Sequence, residues 1–260
     1  MTDWQRADQP RRRIGRGVEA HATIGSTNDR ARLLLDEHGV EGLAVVAEEQ
    51  TGGRGRRGRT WLSPPGRNLM VSVAVRPRIS AATAWQLGMG VALAAQKACS
   101  PLAPVGLKWP NDLVAGDGAK LGGMLIETTI DEVQVATAVI GLGINVNWPR
   151  SEMPAEIGAA ATSLGELAGT EIDRADLLGS LLDALDDELT SLEAGLSPLG
   201  RYREACVTVG TDVGVDTTGG WIEGRAVEID DGGALVVETA AGRVALTSGE
   251  IVRLRAGAPA

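Results

Sequence analysis

Several residue types are scarce in this chain of 260 residues, and each scarcity argues against a class of protein. Two cysteines cannot build a disulfide framework, which favours a reducing compartment such as the cytoplasm. The two histidines, His21 and His38, are isolated from any second ligand at metal spacing, so a zinc site is not expected. The longest weakly polar stretch, 87–95, falls well short of the ~18 apolar residues of a membrane span, and no signal peptide is visible. We therefore expect a cytoplasmic protein that has no membrane partner.

Lysine and phenylalanine are also rare. Phenylalanine is absent, so leucine, isoleucine, valine, alanine and six tryptophans must form the core. Of the 25 basic residues only Lys97, Lys108 and Lys120 are lysine. Because the chain nearly always uses arginine, a lysine is more informative here than usual, and two of the three, Lys108 and Lys120, fall in the segments described below, where a compact ammonium group differs from a guanidinium group. Lys97 is expected to be a surface residue.

The charge balance argues against a nucleic-acid partner. The formal net charge is −9, whereas binding to a phosphate backbone needs a basic face. The roughly 25 residues ahead of Ser26 leave no room for a helix-turn-helix domain of ~50 residues. We expect no DNA partner.

The hydrophobic pattern predicts an α+β protein with a mixed or antiparallel sheet layered with helices, followed by a small β-barrel. Strands are expected over 17–24, 43–47, 69–75, 107–109 and 133–146, and a hairpin with a turn at 116–118 is expected over 113–130. Helices are expected over 30–38, 81–98 and 174–192. Ser26, Thr27 and Asn28 could cap the first helix, and Asp173 could cap the last. The domain boundaries are predicted as a flexible arm over 1–16, a catalytic domain over 17–203 and a β domain of about five strands over 206–255.

The segment 52–61 is the strongest local signal. It has neither helical nor strand periodicity, and it holds Arg54, Arg56, Arg57 and Arg59 among four glycines. Glycine allows close backbone approach to a ligand, and arginine binds phosphate or carboxylate in a bidentate manner. The segment alone is equally consistent with a solvated basic loop or an RNA-binding tract.

Three further segments combine polar residues with glycine at strand ends. They are Lys108-Trp109-Pro110-Asn111-Asp112, Lys120-Leu121-Gly122-Gly123 and Gly141-Leu142-Gly143-Ile144-Asn145. Asparagine beside aspartate could hold magnesium or a nucleotide, or simply form a β-turn. Glycine within a strand indicates either the close approach of another group or a β-bulge.

Taken together, these segments resemble the biotin protein ligases. The matching residues are Ser26-Thr27-Asn28, Gln50 with the 52–61 loop, and the three glycine or Asn-Asp segments, in the order of that family. The resemblance implies a class II synthetase-like biotin/lipoate ligase fold with an SH3-like C-terminal module. Gly122 departs from it, because many members have alanine there. The family's winged-helix DNA-binding domain is not visible ahead of Ser26, which resembles the monofunctional type.

The resemblance implies an ATP-dependent ligase that converts biotin to biotinyl-5′-AMP and transfers it to a lysine of a biotin carboxyl carrier domain. Lys120 and Arg56 would be catalytic, and Asn111 and Asp112 would hold Mg²⁺. No prosthetic group is implied. The implied biotin-binding residues are Ser26, Thr27, Asn28, Gln50, Arg54, Gly55, Arg56, Lys120, Gly123 and Gly141. The implied ATP-binding residues are Arg56, Arg57, Arg59, Trp61, Lys108, Asn111, Asp112 and Asn145.

Two other interpretations stay open at this point. The first is a lipoate or octanoate–protein ligase of the same superfamily, although octanoyl transferases need a cysteine nucleophile and neither Cys99 nor Cys206 lies in a suitable segment. The second is a biotin-binding regulator without turnover, which would need a DNA-reading element. Sheet edges could also pair two copies of the chain as a homodimer.

Overall fold

A computed structural model describes residues 2–8 and 13–253, and its first sheet has seven strands. These are β1 Val18–Ile24, β2 Ala44–Gln50, β3 Leu69–Val75, β4 Val105–Lys108, β5 Asp112–Ala115, β6 Lys120–Asp131 and β7 Gln134–Ile144. The order is β1-β2-β3-β7-β6-β5-β4, with β1 and β2 parallel and all other neighbours antiparallel. The predicted mixed sheet is thus confirmed.

Helices cover both faces of this sheet. They are α1 Thr27–His38, α2 Trp85–Cys99, α3 Ala155–Gly158, α4 Leu164–Ala168, α5 Arg174–Glu193 and α6 Leu199–Ala205. Successive strand side chains point to opposite faces. Accordingly Val45 packs with Leu35 of α1, whereas its neighbour Val46 joins the larger core with Leu87 of α2 and Leu178 of α5. The predicted layering of helices on the sheet is confirmed.

The helix ends follow the local sequence only in part. Gly39 ends α1 with a left-handed φ of 65°, which glycine adopts without strain. The Asp173 carboxylate accepts from the backbone N–H groups of Ala175 and Asp176 and caps α5, as predicted. Ser26 precedes α1, but its side chain makes no capping hydrogen bond. The side chains of Thr27 and Asn28 are turned to other partners, described below.

The N-terminal segment is not the flexible arm that the sequence predicted. Within the described residues 2–8 and 13–16, Trp4 and Ile14 are buried in the main core. The Trp4 indole donates to Glu48 at 3.1 Å, and Arg174 of α5 lies 2.7 Å from the same carboxylate and 5.0 Å from the Trp4 ring centroid. The prediction was wrong because it weighted the arginine content of the segment over its apolar residues, whose burial orders the chain.

The C-terminal region forms a second, antiparallel sheet. Its strands are β8 Asp212–Thr217, β9 Gly220–Ile229, β10 Leu235–Thr239, β11 Gly242–Leu246 and β12 Glu250–Arg253, in the order β11-β10-β9-β8-β12. This confirms the five strands predicted over 206–255, of which residues 254 and 255 lie outside the described part. Over the described ranges, no helix has both the length and the apolar character needed to cross a bilayer.

Candidate active site

A cavity of about 340 Å³ opens on the sheet face that carries α1, beyond the first turn of that helix. Strands β3, β6 and β7 form its floor, and the loop 52–61 forms one wall. The lining residues include Ser26, Thr27, Asn28, Gln50, Arg54, Gly55, Arg56, Arg59, Trp61, Ser72, Asn111, Lys120, Gly123, Leu125, Gly141, Leu142, Gly143, Asn145, Trp148 and Ile157. The volume suits a small organic ligand.

Neutral polar side chains form one part of the cavity wall. Gln50 Oε1 accepts from the backbone N–H of Thr27 at 2.8 Å and lies 3.1 Å from the Thr27 hydroxyl. The buried Ser72 hydroxyl lies 2.7 Å from Thr27 Oγ1 and 2.6 Å from Asn28 Oδ1. Gly141 is required at this point, since a Cβ there would lie 2.1 Å from Asn28 Oδ1. These hydroxyl and amide groups are suited to hydrogen-bond an uncharged polar head group.

Loop arginines differ sharply in what they contact. Arg54 donates to both carboxylate oxygens of Asp29, at 2.8 and 2.6 Å. This pairing lowers the pKa of Asp29 and raises that of Arg54. Arg57, whose φ is 57°, contacts Asp216 at 2.9 Å, and Arg59 pairs with Glu250. Asp216 and Glu250 belong to β8 and β12, so the loop is linked by ion pairs to the C-terminal sheet.

Arg56 is the loop arginine that faces the cavity without a carboxylate partner. Burial lowers the pKa of Arg56. The negative charge of Asp112 raises that pKa, whereas the positive charges of Arg59 and Arg57 lower it further. Its guanidinium donates to the neutral Asn111 Oδ1 at 2.9 Å, and no ion pair involves it within residues 2–8 and 13–253. A partly desolvated cation of this kind gains most from an anionic ligand.

Lys120 supplies a second cation to the same wall. Its Nζ donates to Asp112 Oδ1 at 2.7 Å and lies 5.9 Å from the ring centroid of Trp61. The Trp61 ring in turn lies against Gly143, where a Cβ would approach a ring carbon to 2.4 Å. The glycines predicted to allow close approach therefore do so at two positions of β7, Gly141 and Gly143, and the approaching groups are Asn28 and Trp61.

Comparison with known proteins identifies the family of this site. The Biotin/lipoate A/B protein ligase family model matches residues 21–145, and the Biotin protein ligase C terminal domain model matches residues 208–254. The biotin–[acetyl-CoA-carboxylase] ligase of Mycobacterium tuberculosis is 34% identical over 249 residues, which cover 92% of this chain and 90% of that protein. The chain belongs to the biotin protein ligase family.

Two further proteins of known function are similar to this chain over 92% of its length. The bifunctional ligase/repressor BirA of Bacillus subtilis is 34% identical over 242 residues, covering 92% of this chain and 74% of that protein. The structure of the biotin protein ligase from Aquifex aeolicus in complex with biotin and ATP matches with a TM-score of 0.78 and 30% sequence identity. That match covers 92% of this chain and 99% of the Aquifex chain.

Most of the residues predicted for the ligase site line the cavity. These are Ser26, Thr27, Asn28, Gln50, Arg54, Gly55, Arg56, Arg59, Trp61, Asn111, Lys120, Gly123, Gly141 and Asn145. Arg57 points to the C-terminal sheet instead. Lys108 lines a separate small cavity with Val207 and Thr208, because it lies on an edge strand next to the domain boundary. The prediction that Lys108 meets ATP at this site is not supported by that location.

Asn111 and Asp112 contact cations of the protein itself where the sequence predicted magnesium. Asp112 Oδ1 accepts from the Lys120 ammonium, and Asn111 Oδ1 accepts from the Arg56 guanidinium. A metal ion at these oxygens would lie beside two cations, whose repulsion opposes binding. Among the described residues, no group of three or more His, Cys, Asp or Glu side chains could hold a metal ion. Asn111 and Asp112 therefore contact Arg56 and Lys120 in the described structure, and the magnesium site stays a prediction.

Several cavity residues escaped the sequence analysis, notably Ser72, Leu125, Trp148 and Ile157. Ser72 could have been found by strand alternation, because it lies two residues before Ala74 of β3, which packs in the α1 core. Leu125 likewise lies two residues after Gly123 on β6. Trp148 and Ile157 belong to a small cluster after β7 that has no regular pattern, so no local signal marked them.

Proposed function

We infer that this protein is an ATP-dependent biotin protein ligase, which activates biotin as biotinyl-5′-AMP and transfers the biotinyl group to a lysine of a biotin carboxyl carrier domain. The observation that carries this inference is the pairing of Arg56 and Lys120 in one cavity with the Thr27, Gln50 and Ser72 cluster. A ligand with an uncharged polar head and a carboxylate matches both features. Biotin has that composition, with a ureido ring and a valerate carboxylate.

The first half-reaction brings two anions together. A biotin carboxylate oxygen attacks the α-phosphorus of ATP, and the bond from that phosphorus to the pyrophosphate oxygen breaks. At ~4 Å and an effective dielectric constant of about 20, each pair of like charges repels by roughly 4 kcal/mol. Arg56 and Lys120 would offset this repulsion, because their cationic groups are held in place before the substrates arrive.

The second half-reaction transfers the acyl group. The uncharged amine of the carrier lysine attacks the acyl carbon of biotinyl-5′-AMP, the bond to the phosphate oxygen breaks, and the amine nitrogen loses a proton. Negative charge develops on the acyl oxygen and on the leaving AMP. Lys120 would stabilise both charges, and the carboxylate of Asp112 at 2.7 Å holds its ammonium group in position.

The nucleotide would occupy the part of the cavity nearest the loop. Arg59 and Asn111 line this part, and Arg57 lies just outside it, so the triphosphate would meet these side chains. Arg57 and Arg59 are paired with Asp216 and Glu250. Each of these pairs is about half exposed and therefore weak, so a polyphosphate can displace the carboxylates.

The alternatives are less well supported. An octanoyl transferase needs a cysteine nucleophile, but Cys99 and Cys206 are both buried and neither lines the cavity. The substrate of a lipoate ligase carries a dithiolane ring, which has no N–H group. Such a ring could not donate a hydrogen bond to the hydroxyl and amide oxygens of this wall. A non-catalytic biotin-binding regulator could also use Lys120 to bind the carboxylate, but it would not release pyrophosphate from ATP, so the assay below separates the two functions.

A pyrophosphate-release assay with biotin and ATP tests the proposal. Lys120→Ala should keep its fold and lose roughly 100-fold or more of the rate, as expected when a charge-stabilising donor is lost. The matched control is Lys97→Ala, because Lys97 lies on the exposed surface and pairs with Asp187. Near-normal turnover by the Lys120 variant, or no biotin-dependent release by the unmodified protein, would refute the assignment.

A further inference from the structure

Glu127 contacts the polar cluster from outside the cavity. It lies on β6, and its carboxylate accepts from Asn28 Nδ2 at 2.8 Å. Two guanidinium groups flank it, with Arg32 at 3.1 Å and Arg54 at 4.0 Å. A carboxylate between two cations acts as a hydrogen-bond acceptor only.

That restriction fixes the orientation of the Asn28 amide. An amide carries a donor nitrogen and an acceptor oxygen, and the nitrogen must face Glu127. The oxygen is therefore turned towards Ser72 and Gly141. Gln50 is fixed in the same way, because its Oε1 accepts from the backbone N–H of Thr27.

The protons available between these two fixed oxygens are too few. Asn28 Oδ1, Ser72 Oγ, Thr27 Oγ1 and Gln50 Oε1 form a chain with successive separations of 2.6, 2.7 and 3.1 Å. Three contacts need three protons, whereas the Ser72 and Thr27 hydroxyls supply one each. Ser72 donates to Asn28, and the single proton of Thr27 can go to either Ser72 or Gln50. Thr27 Oγ1 is therefore left with one short contact, to Ser72 Oγ or to Gln50 Oε1, that has no proton.

We propose that Glu127 is a positioning residue that selects a ligand with an N–H donor by holding this polar chain one proton short. The proposal rests on the proposed function, in which the ureido ring of biotin lies at this wall. A ureido N–H that donates to Thr27 Oγ1 or to Gln50 Oε1 supplies the missing proton, because the Thr27 hydroxyl can then serve the remaining contact. A head group without N–H leaves two of these oxygens facing each other without a proton, so the pocket binds it more weakly.

Replacing Glu127 with glutamine removes the restriction. The amide of the introduced glutamine can donate to Asn28 Oδ1, so the Asn28 amide can turn over and direct its nitrogen towards Ser72. The chain then holds three protons for three contacts, and the need for a ligand N–H disappears. The ligand atoms and the cavity lining are unchanged, so the effect isolates the polarity of the chain.

The test compares Glu127→Gln with the unmodified protein by isothermal titration calorimetry, using biotin and a biotin methylated at its ureido nitrogens. We expect the variant to bind biotin roughly 10-fold more weakly, while kcat and the KM for ATP change less than about twofold. The ratio of affinities for biotin and the methylated biotin should fall by a similar factor, because the N–H no longer matters. Equal ratios in the two proteins would overturn the proposal, since the steric effect of the methyl groups is common to both.

Two further variants separate this role from a structural one. Arg32→Gln removes another partner of Glu127 but leaves its contact with Asn28, so biotin affinity should stay within about twofold. Glu127→Asp keeps an acceptor and should preserve the ratio of affinities even where overall binding weakens. A failure of Arg32→Gln to bind biotin would refute the relay through Asn28. Absence of biotin-dependent pyrophosphate release in the unmodified protein would instead refute the proposed function.

Discussion

Gly141→Ala is a one-methyl perturbation directed at the polar wall of the cavity. An added Cβ would lie 2.1 Å from Asn28 Oδ1, 2.9 Å from its Cγ and 3.1 Å from its Nδ2. The Asn28 oxygen must therefore retreat by more than about 1 Å to reach ordinary van der Waals contact. Asn28 is 6% exposed, so its displaced amide must move into the cavity that it lines or push against Ser72 and Glu127.

The expected magnitude follows from the hydrogen bonds at stake. Asn28 is held by Ser72 at 2.6 Å and Glu127 at 2.8 Å, and the displacement stretches both. Overpacking and a buried polar group without its partner each cost about 1–3 kcal/mol. We expect the free energy of unfolding to fall by an amount in that range. Biotin affinity should fall by roughly 10-fold to 100-fold, since 1.4 kcal/mol corresponds to a factor of about ten.

Thermal unfolding and calorimetric titration with biotin measure the two effects separately. Gly88→Ala is the matched control, because Gly88 lies within α2 and a Cβ there meets nothing within 4 Å. That control should gain about 0.5–1 kcal/mol in stability and bind biotin normally. If Gly141→Ala kept both the stability and the biotin affinity of the unmodified protein, the close packing of Asn28 on β7 would be refuted.

The remaining predictions concern titrating groups. Burial raises the pKa of Cys99 to about 12. Native protein at pH 8 should therefore resist alkylation at Cys99 and at the buried Cys206. Denatured protein should take up two labels, and fast labelling of native protein would contradict the prediction. The hydrogen bond from Arg54 lowers the pKa of the Asp29 carboxyl. The stabilisation of the fold by this pair is therefore present above the ordinary carboxyl pKa and is lost as the pH falls through the lowered pKa. Arg54→Gln should raise that pKa in an NMR titration, and no rise would exclude the pairing in solution.

Local sequence was enough for the features that depend on neighbours along the chain. Alternation of apolar residues predicted β3 with its observed bounds, Leu69–Val75, and the helical spacing predicted α5 with its Asp173 cap. Glycine and arginine without periodicity predicted the loop 52–61. These features depend on backbone preference and on the spacing of side chains within one element.

Recognition of the site also came from the sequence, because its residue types occur in a specific order along the chain. The glycines of β7 were ambiguous by themselves, since a β-bulge or the close approach of another group both explain them. Tertiary packing resolved the ambiguity, because Asn28 of α1 lies against Gly141 and Trp61 of the loop lies against Gly143.

Partners across the fold depended on strand order and on the packing of α1. The four loop arginines have similar sequence surroundings, yet their partners differ. Arg54 pairs with Asp29. Within the described part of the chain, only Arg56 among them lines the cavity without an ion pair. Glu127 reaches Asn28 across 99 positions of sequence, and Trp4 reaches Glu48 across 44. A periodic pattern tells which face of an element is buried but not which distant residue covers it, because that depends on the register between segments. Strand and helix formation was therefore readable from the sequence, whereas the charge partners and the hydrogen-bond polarity of the cavity arose only from tertiary packing.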